Sequence, residues 1–251
     1  MKRILDRFLN ILGYVIVKKE TLSANLKNDK YEKYDLANAR GKINLGLENI
    51  LLKNNQFKWL EIGTGGRTDN GFDYIDIIEF PIGKVPKNYK RLDIVKCTDQ
   101  EIDDLGKYDF IRMQHVFEHF APEDGLIVLK NCSKILNPGG VLLISCPDID
   151  KGIEHYRNGT IKQLNGDWGT ERFGSDAPDS FYFSIFTHSV LHEPHLWCYN
   201  AEGIGYQLKR TNEFDNIEVI DLDNYKSAIP FTHNRPHTDV TVIANKKREE
   251  N

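Results

Sequence analysis

Cysteine is scarce in this chain. There are four in 251 residues, Cys97, Cys132, Cys146 and Cys198, and no two of them stand at the CxxC spacing of a zinc or thiol-redox site. Cys97, Cys132 and Cys146 lie in or beside apolar runs and read as reduced core residues, which suits a cytoplasmic protein. An excess of positive charge is also missing. The 33 Lys and Arg against 37 Asp and Glu leave a formal net charge of -4. That balance offers no basic footprint for a polyanion, so nucleic acid is not an expected partner. No uncharged apolar run approaches the roughly 20 residues needed to span a bilayer. Residues 1–19 come closest, but Asp6 and Arg7 interrupt them and no small-residue cleavage site follows, unlike a signal peptide. Ile4, Leu5, Phe8, Leu9, Ile11 and Leu12 recur at helical spacing and predict an amphipathic helix. Three roles fit it: a cap on the domain, a homodimer contact, or peripheral docking on the inner membrane face. Internal repeats and low-complexity tracts are absent.

What is present is an alternation of short apolar runs with helical stretches from Phe57 onward, the pattern of a mostly parallel α/β sheet with helices on both faces. Strands are predicted at 58–62, 72–77, 89–95, 108–114 and 141–146, with a closing pair at 217–220 and 240–244. Helices are predicted at about 122–136 and 201–211, the first ending where Asn137-Pro-Gly-Gly140 cannot continue it. The expected organisation is an N-terminal helical cap and linker over 1–56, a main domain over 57–246 and a polar tail over 247–251. Residues 150–198 carry no clear period and hold glycines, aromatics and four histidines, the mark of a lid or binding loop.

In an open parallel sheet, ligands bind beyond the carboxyl ends of the strands, at the point where strand order reverses. Four of the predicted strands end in chemically pointed residues. Glu61-x-Gly63-x-Gly65-Gly66 lets backbone pass close to a ligand, since glycine has no side chain to intrude. Asp76, at the end of the second strand, can accept both hydroxyl hydrogens of a ribose. Asp93, on the third, can accept from an exocyclic amine such as that of adenine. The alternative for either aspartate is a solvated loop residue or a helix cap. His115 follows the fourth strand directly.

Taken in order, Trp59-Leu-Glu-Ile-Gly-Thr-Gly-Gly66, Gly71-Phe-Asp-Tyr-Ile-Asp76, Tyr108-Asp-Phe-Ile-Arg-Met-Gln-His-Val-Phe-Glu-His-Phe120 and Ile135-Leu-Asn-Pro-Gly-Gly-Val-Leu-Leu-Ile-Ser-Cys-Pro-Asp148 resemble class I S-adenosylmethionine-dependent methyltransferases. The nearest likeness is to sugar O-methyltransferases of bacterial capsule and surface-polysaccharide pathways. The resemblance implies a Rossmann-like fold with a seven-stranded sheet. It also implies S-adenosyl-L-methionine as cofactor, with S-adenosyl-L-homocysteine as product, at Glu61, Gly63, Gly65, Gly66 and Gln114, with Asp76 on the ribose and Asp93 near the adenine. The chain departs from the family where Arg67 stands near the usual third loop glycine. Only nine residues, 67–75, separate Gly66 from Asp76, too few for a full crossover helix, so a shortened first helix is expected. The missing Gly-x-Gly-x-x-Gly spacing disfavours a dinucleotide and costs a cofactor without a pyrophosphate little.

Methyl transfer is an in-line displacement, so the protein chiefly positions the reactants. An alcohol acceptor must lose its proton as the bond forms, and histidine is the natural base. His115 is the first candidate, followed by His119, which alternatively braces the loop, and His192. Trp168, His188, His195 and Trp197 are the candidate acceptor contacts, since aromatic faces beside histidines suit a sugar ring and equally suit lid packing. His188, His192 and His195 stand four and three apart, but Pro194 breaks a helical alignment, so no metal site is expected. Asp148 reads as a helix cap, and the stretch through His233, Arg235, His237 and Asp239 reads as structural. The expectation is an O-methyltransferase acting on a sugar or nucleotide-linked sugar such as a heptose. The alternatives are a methyltransferase of another small molecule or lipid, and a non-catalytic cofactor-binding module.

Overall fold

The computed structural model describes residues 58–64, 72–80, 85, 87–160, 194–220 and 238–248. All of them fall in one unit, Leu51–Lys226 with Arg235–Asn251. The predicted N-terminal helix, most of the lid and the first crossover therefore lie outside the described residues. Apolar residues at alternate positions put one face of each central strand into the core, as the two-residue side-chain period requires. Leu60, Ile62, Ile111, Met113, Leu142, Ile144 and Cys146 are all at most 3% exposed.

The strands are β1 (Trp59–Ile62), β2 (Phe72–Asp76), β3 (Tyr89–Arg91), β4 (Tyr108–Gln114), β5 (Leu136–Pro147), β6 (Phe214–Val219) and β7 (Asp239–Lys246). They form one seven-stranded sheet in the order β3-β2-β1-β4-β5-β7-β6. β1 to β5 pair in parallel, and β7 runs antiparallel between β5 and β6. This is the seven-stranded, mostly parallel α/β fold expected. The order reverses between β1 and β4, so their carboxyl ends open a crevice there. Helices α1 (Asp99–Asp103), α2 (Pro122–Ile135), α3 (Ile149–Arg157) and α4 (Ala201–Thr211) complete the described elements, with a 3-10 turn at Phe117–His119. Val128, Leu129 and Cys132 of α2 and Ile204 and Leu208 of α4 join the strand residues in one core cluster.

Three differences from expectation have local causes. β3 stops at Arg91 rather than Val95 because Asp93 starts a turn: its carboxylate accepts from Val95 N at 3.0 Å and its carbonyl from Lys96 and Cys97 N. Asn137-Pro-Gly-Gly140 is a bulge inside β5. Tyr108 faces Leu136 and Phe110 faces Val141, and Gly139 takes φ +81°, a conformation that favours glycine. α3 occupies the start of the expected lid. Asp148 caps it by accepting from Asp150 N, as its sequence position suggested; Ile149, Ile153 and Tyr156 stand at helical spacing, but Gly152 is its one buried residue, so the helix lies mostly at the surface. All four cysteines are free, and burial pushes the Cys132 and Cys146 thiols up, away from reactivity.

Ile111, fully buried at the centre of β4, gives a direct check on this core. Ile111→Ala is expected to lower stability in urea denaturation by about 2–5 kcal/mol, with the m-value unchanged.

Candidate active site

At the end of β1 the chain turns sharply. Gly63 has φ +75°, its N–H donates to Ile75 O at 2.9 Å, and a Cβ on it would overlap the Val116 side chain. The loop is then clamped to β2 by Asp76. One carboxylate oxygen accepts from Thr64 N at 2.7 Å and Thr64 Oγ1 at 3.2 Å, and the other from Ile78 N at 3.2 Å. The carboxylate thus stands at the strand end over the crevice while fixing the loop beside it. Glu61 turns to the other side of β1. Arg112, its neighbour in register on β4, meets it with Nε–Oε1 at 3.2 Å and Nη2–Oε2 at 2.5 Å, and lies over the Phe72 ring at 4.5 Å. Both groups are buried, so the fork-on-carboxylate geometry offsets the loss of water. Glu61 is thereby placed as a brace beneath the loop. Asp93 carries the turn after β3, with Lys96 Nζ 3.3 Å from its carboxylate. Gln114 ends β4, paired in register with Ser145. Gly65 and Gly66 lie outside the described residues.

Beyond β4 the chain takes an unusual step. His115 adopts φ +55°, a left-handed conformation rare outside glycine, and its N–H still bonds Ser145 O at 2.8 Å. This aims the imidazole between two buried carboxylates. Nε2 is 2.7 Å from Asp239 Oδ2 and Nδ1 is 3.3 Å from Glu118 Oε1. Burial works against a charged ring, but Asp239 and Glu118 more than offset it and push the His115 pKa up to about 9. Burial likewise works to raise the Glu118 carboxyl, and the imidazoles of His115, His195 and His119 hold it below its usual range. Glu118 also gathers a distant segment: its carbonyl accepts from Leu196 N at 2.9 Å and Trp197 N at 3.2 Å. His195 Nε2 thereby comes to 3.8 Å from Glu118 Oε1, and the His119 and His195 rings meet edge to face at 4.9 Å.

The fold therefore gathers His115, His119 and His195 into one cluster with Glu118, and it sets Trp197, 49% exposed, beside them. His188, His192 and Trp168 lie outside the described residues. Sequence reasoning missed Asp239, read there as structural, and gave Glu118 no role. The available signal for Asp239 was a lone carboxylate opening a strand whose next five residues, Val240 to Ala244, are apolar or Thr. Its proximity to His115 follows only once β7 runs antiparallel beside β5, which brings its first residue to the carboxyl ends of the parallel strands.

A family model described as "Methyltransferase domain" matches residues 22–219. No curated protein matches. Among solved structures, an S-adenosylmethionine-dependent methyltransferase from Clostridium acetobutylicum ATCC 824 is 13% identical, with 92% of this chain and 100% of that chain covered and a TM-score of 0.48. N-methyltransferase NodS from Bradyrhizobium japonicum WM9, in complex with S-adenosyl-L-homocysteine, is 14% identical over 88% of this chain and 90% of that one, with a TM-score of 0.46. The chain spans about half the length of two other structures that it matches, 55% of the methyltransferase SibL and 48% of the CurJ carbon methyltransferase. No helix among the described residues is long and apolar enough to cross a membrane.

Two substitutions check this geometry. Arg112→Met, which leaves Glu61 buried without its cation, is expected to cost on the order of 3–5 kcal/mol in urea denaturation, while the pair Glu61→Leu/Arg112→Met recovers most of that loss. Gly63→Ala combines a strained φ with the Val116 overlap and is expected to cost about 1–3 kcal/mol. Adding Val116→Ala recovers part of that loss, and equal, additive losses in the double variant would contradict the packing described.

Proposed function

The chain belongs to the methyltransferase-domain family, and from that premise we propose that it is an S-adenosylmethionine-dependent O-methyltransferase whose acceptor is a sugar hydroxyl. In this reading the acceptor is a nucleotide-linked sugar such as a heptose, or a glycan, within bacterial capsular or surface polysaccharide biosynthesis. The observation that carries the proposal is the meeting, at one edge of the sheet, of a clamped glycine turn with Asp76 and a histidine–carboxylate cluster after β4. The donor lies over the β1 turn at Gly63, Gly65 and Gly66, with its ribose on Asp76, its adenine toward Asp93 and its methyl toward Gln114. Glu61 serves from beneath, through Arg112.

The acceptor meets the other half of the edge. As the new O–C bond forms, the C–S bond of the sulfonium breaks, its electron pair stays on sulfur, and the hydroxyl proton must leave. His115 faces carboxylates with both ring nitrogens, so we assign it to positioning: it holds Glu118 and orders this end of β4. Proton removal falls to the Glu118, His119 and His195 group, with His192 of the lid as a further candidate. Trp197 supplies an apolar face to a sugar ring. Exposed Leu196 beside it, at 54%, also suits a lipid acceptor, which is the second reading. Residues 1–19 would then be the contact with a membrane, and in either reading they remain a candidate homodimer contact.

Calorimetry with S-adenosylmethionine and S-adenosylhomocysteine is expected to show binding of both, weakened about 10–100-fold in Asp76→Ala, as loss of charged hydrogen bonds predicts. No binding of either at millimolar concentration would remove the cofactor assignment. Nucleotide sugars incubated with S-adenosylmethionine are expected to gain the mass of one methylene, and gain on lipids alone would favour the second reading.

A further inference from the structure

Three side chains at the acceptor edge make a ligand set. Glu118 and His119 sit on the 3-10 turn after β4, and His195 comes from the segment before α4 that is tied to the turn by two backbone hydrogen bonds onto Glu118 O. One possible ligand atom from each of the three lies within 4.8 Å of the others. The side chain of Glu118 is 2% exposed, and its Oε1 stands 3.3 Å from His115 Nδ1 and 3.8 Å from His195 Nε2. A buried carboxylate is kept only where hydrogen-bond donors or cations surround it, and imidazoles beside a carboxylate are also the donor set of a metal ion. His119 Nδ1 lies 3.2 Å from Pro194 O. A carbonyl only accepts, so Nδ1 carries the proton there and Nε2 keeps the lone pair.

We propose that Glu118, His119 and His195 bind a divalent transition-series cation. Two imidazoles with one carboxylate suit Zn(II), Mn(II), Fe(II) or Co(II), whereas Mg(II) and Ca(II) take oxygen ligands. Ligand atoms around such a cation stand roughly 3–3.5 Å apart, so the set closes by small side-chain rotations. The surrounding contacts are those that orient metal ligands: the Pro194 carbonyl fixes the His119 ring, and His115, anchored on Asp239, backs Glu118. Three protein ligands leave coordination positions open. A hydroxyl at an open position would have its pKa lowered by the cation, so that its proton passes to solvent water instead of to these side chains. That consequence rests on the O-methylation reading, whereas cation binding does not.

The test uses the full chain, stripped with a chelator, re-equilibrated with Zn(II), Co(II) or Mg(II), and read by elemental analysis and Co(II) visible absorption. Wild type is expected to hold one Zn(II) or Co(II) per chain, unaffected by excess Mg(II). His119→Ala and His195→Ala are each expected to bind at least about tenfold more weakly. His119 is partly exposed, so its variant tests ligation without removing a buried charge. No uptake by wild type, preference for Mg(II), or binding by both variants as tight as that of wild type would overturn the proposal. S-adenosylhomocysteine calorimetry on the same samples separates the two readings: failure there strikes the methyl-donor assignment and leaves the metal result standing.

Discussion

A carboxylate taken out of water must be answered by its surroundings, and Glu118 imposes that constraint on the turn after β4. Its side chain faces His115 and His195, and its carbonyl holds the backbone of Leu196 and Trp197. His115 can stand between Glu118 and Asp239 because its backbone enters the left-handed region directly after β4. Conformational strain of that kind persists only where surrounding contacts over-determine it. Here two ion-pair contacts and the bond to Ser145 O do so. The end of β4, the start of β7 and the segment before α4 are thus fixed to one another through a single buried charge cluster.

The turn after β1 obeys the same logic with different groups. Asp76 ties the β1 turn to β2 through Thr64, and Arg112 ties β1 to β4 through Glu61. β4 therefore serves both halves. Its interior residue Arg112 supports the glycine turn from below, while the residue just past its end carries the histidine cluster. Val116 extends the coupling, since its side chain occupies the space that any Cβ at position 63 would need.

Much of this was legible in the sequence where the signal is local. Leu60, Ile62, Ile111, Met113, Leu142 and Ile144 alternate or run together as buried strands do, and α4 was readable from its period and cap residues. The bulge at Gly139 was readable as a break but not as part of β5, because pairing with β4 across it is a long-range choice. α1 and α3 left weak traces, each with one buried residue and held by its cap, Thr98 with Glu101 in one and Asp148 in the other. Asp93 was visible as a carboxylate near a strand end, but its turn is set by its own side chain hydrogen-bonding two residues on.

By itself the sequence determined the sheet, its mostly parallel sense, the glycine turn and the strand-end acids, because side-chain period and glycine's freedom act over a few residues. Tertiary structure alone decided what the histidines face. His115 became a paired imidazole because antiparallel β7 delivers Asp239 to it, and His195 joined His119 and Glu118 because the backbone of Leu196 and Trp197 hydrogen-bonds to Glu118 O, far away in sequence. Charge interactions of that kind depend on distances between residues remote in sequence, and no local pattern encodes them.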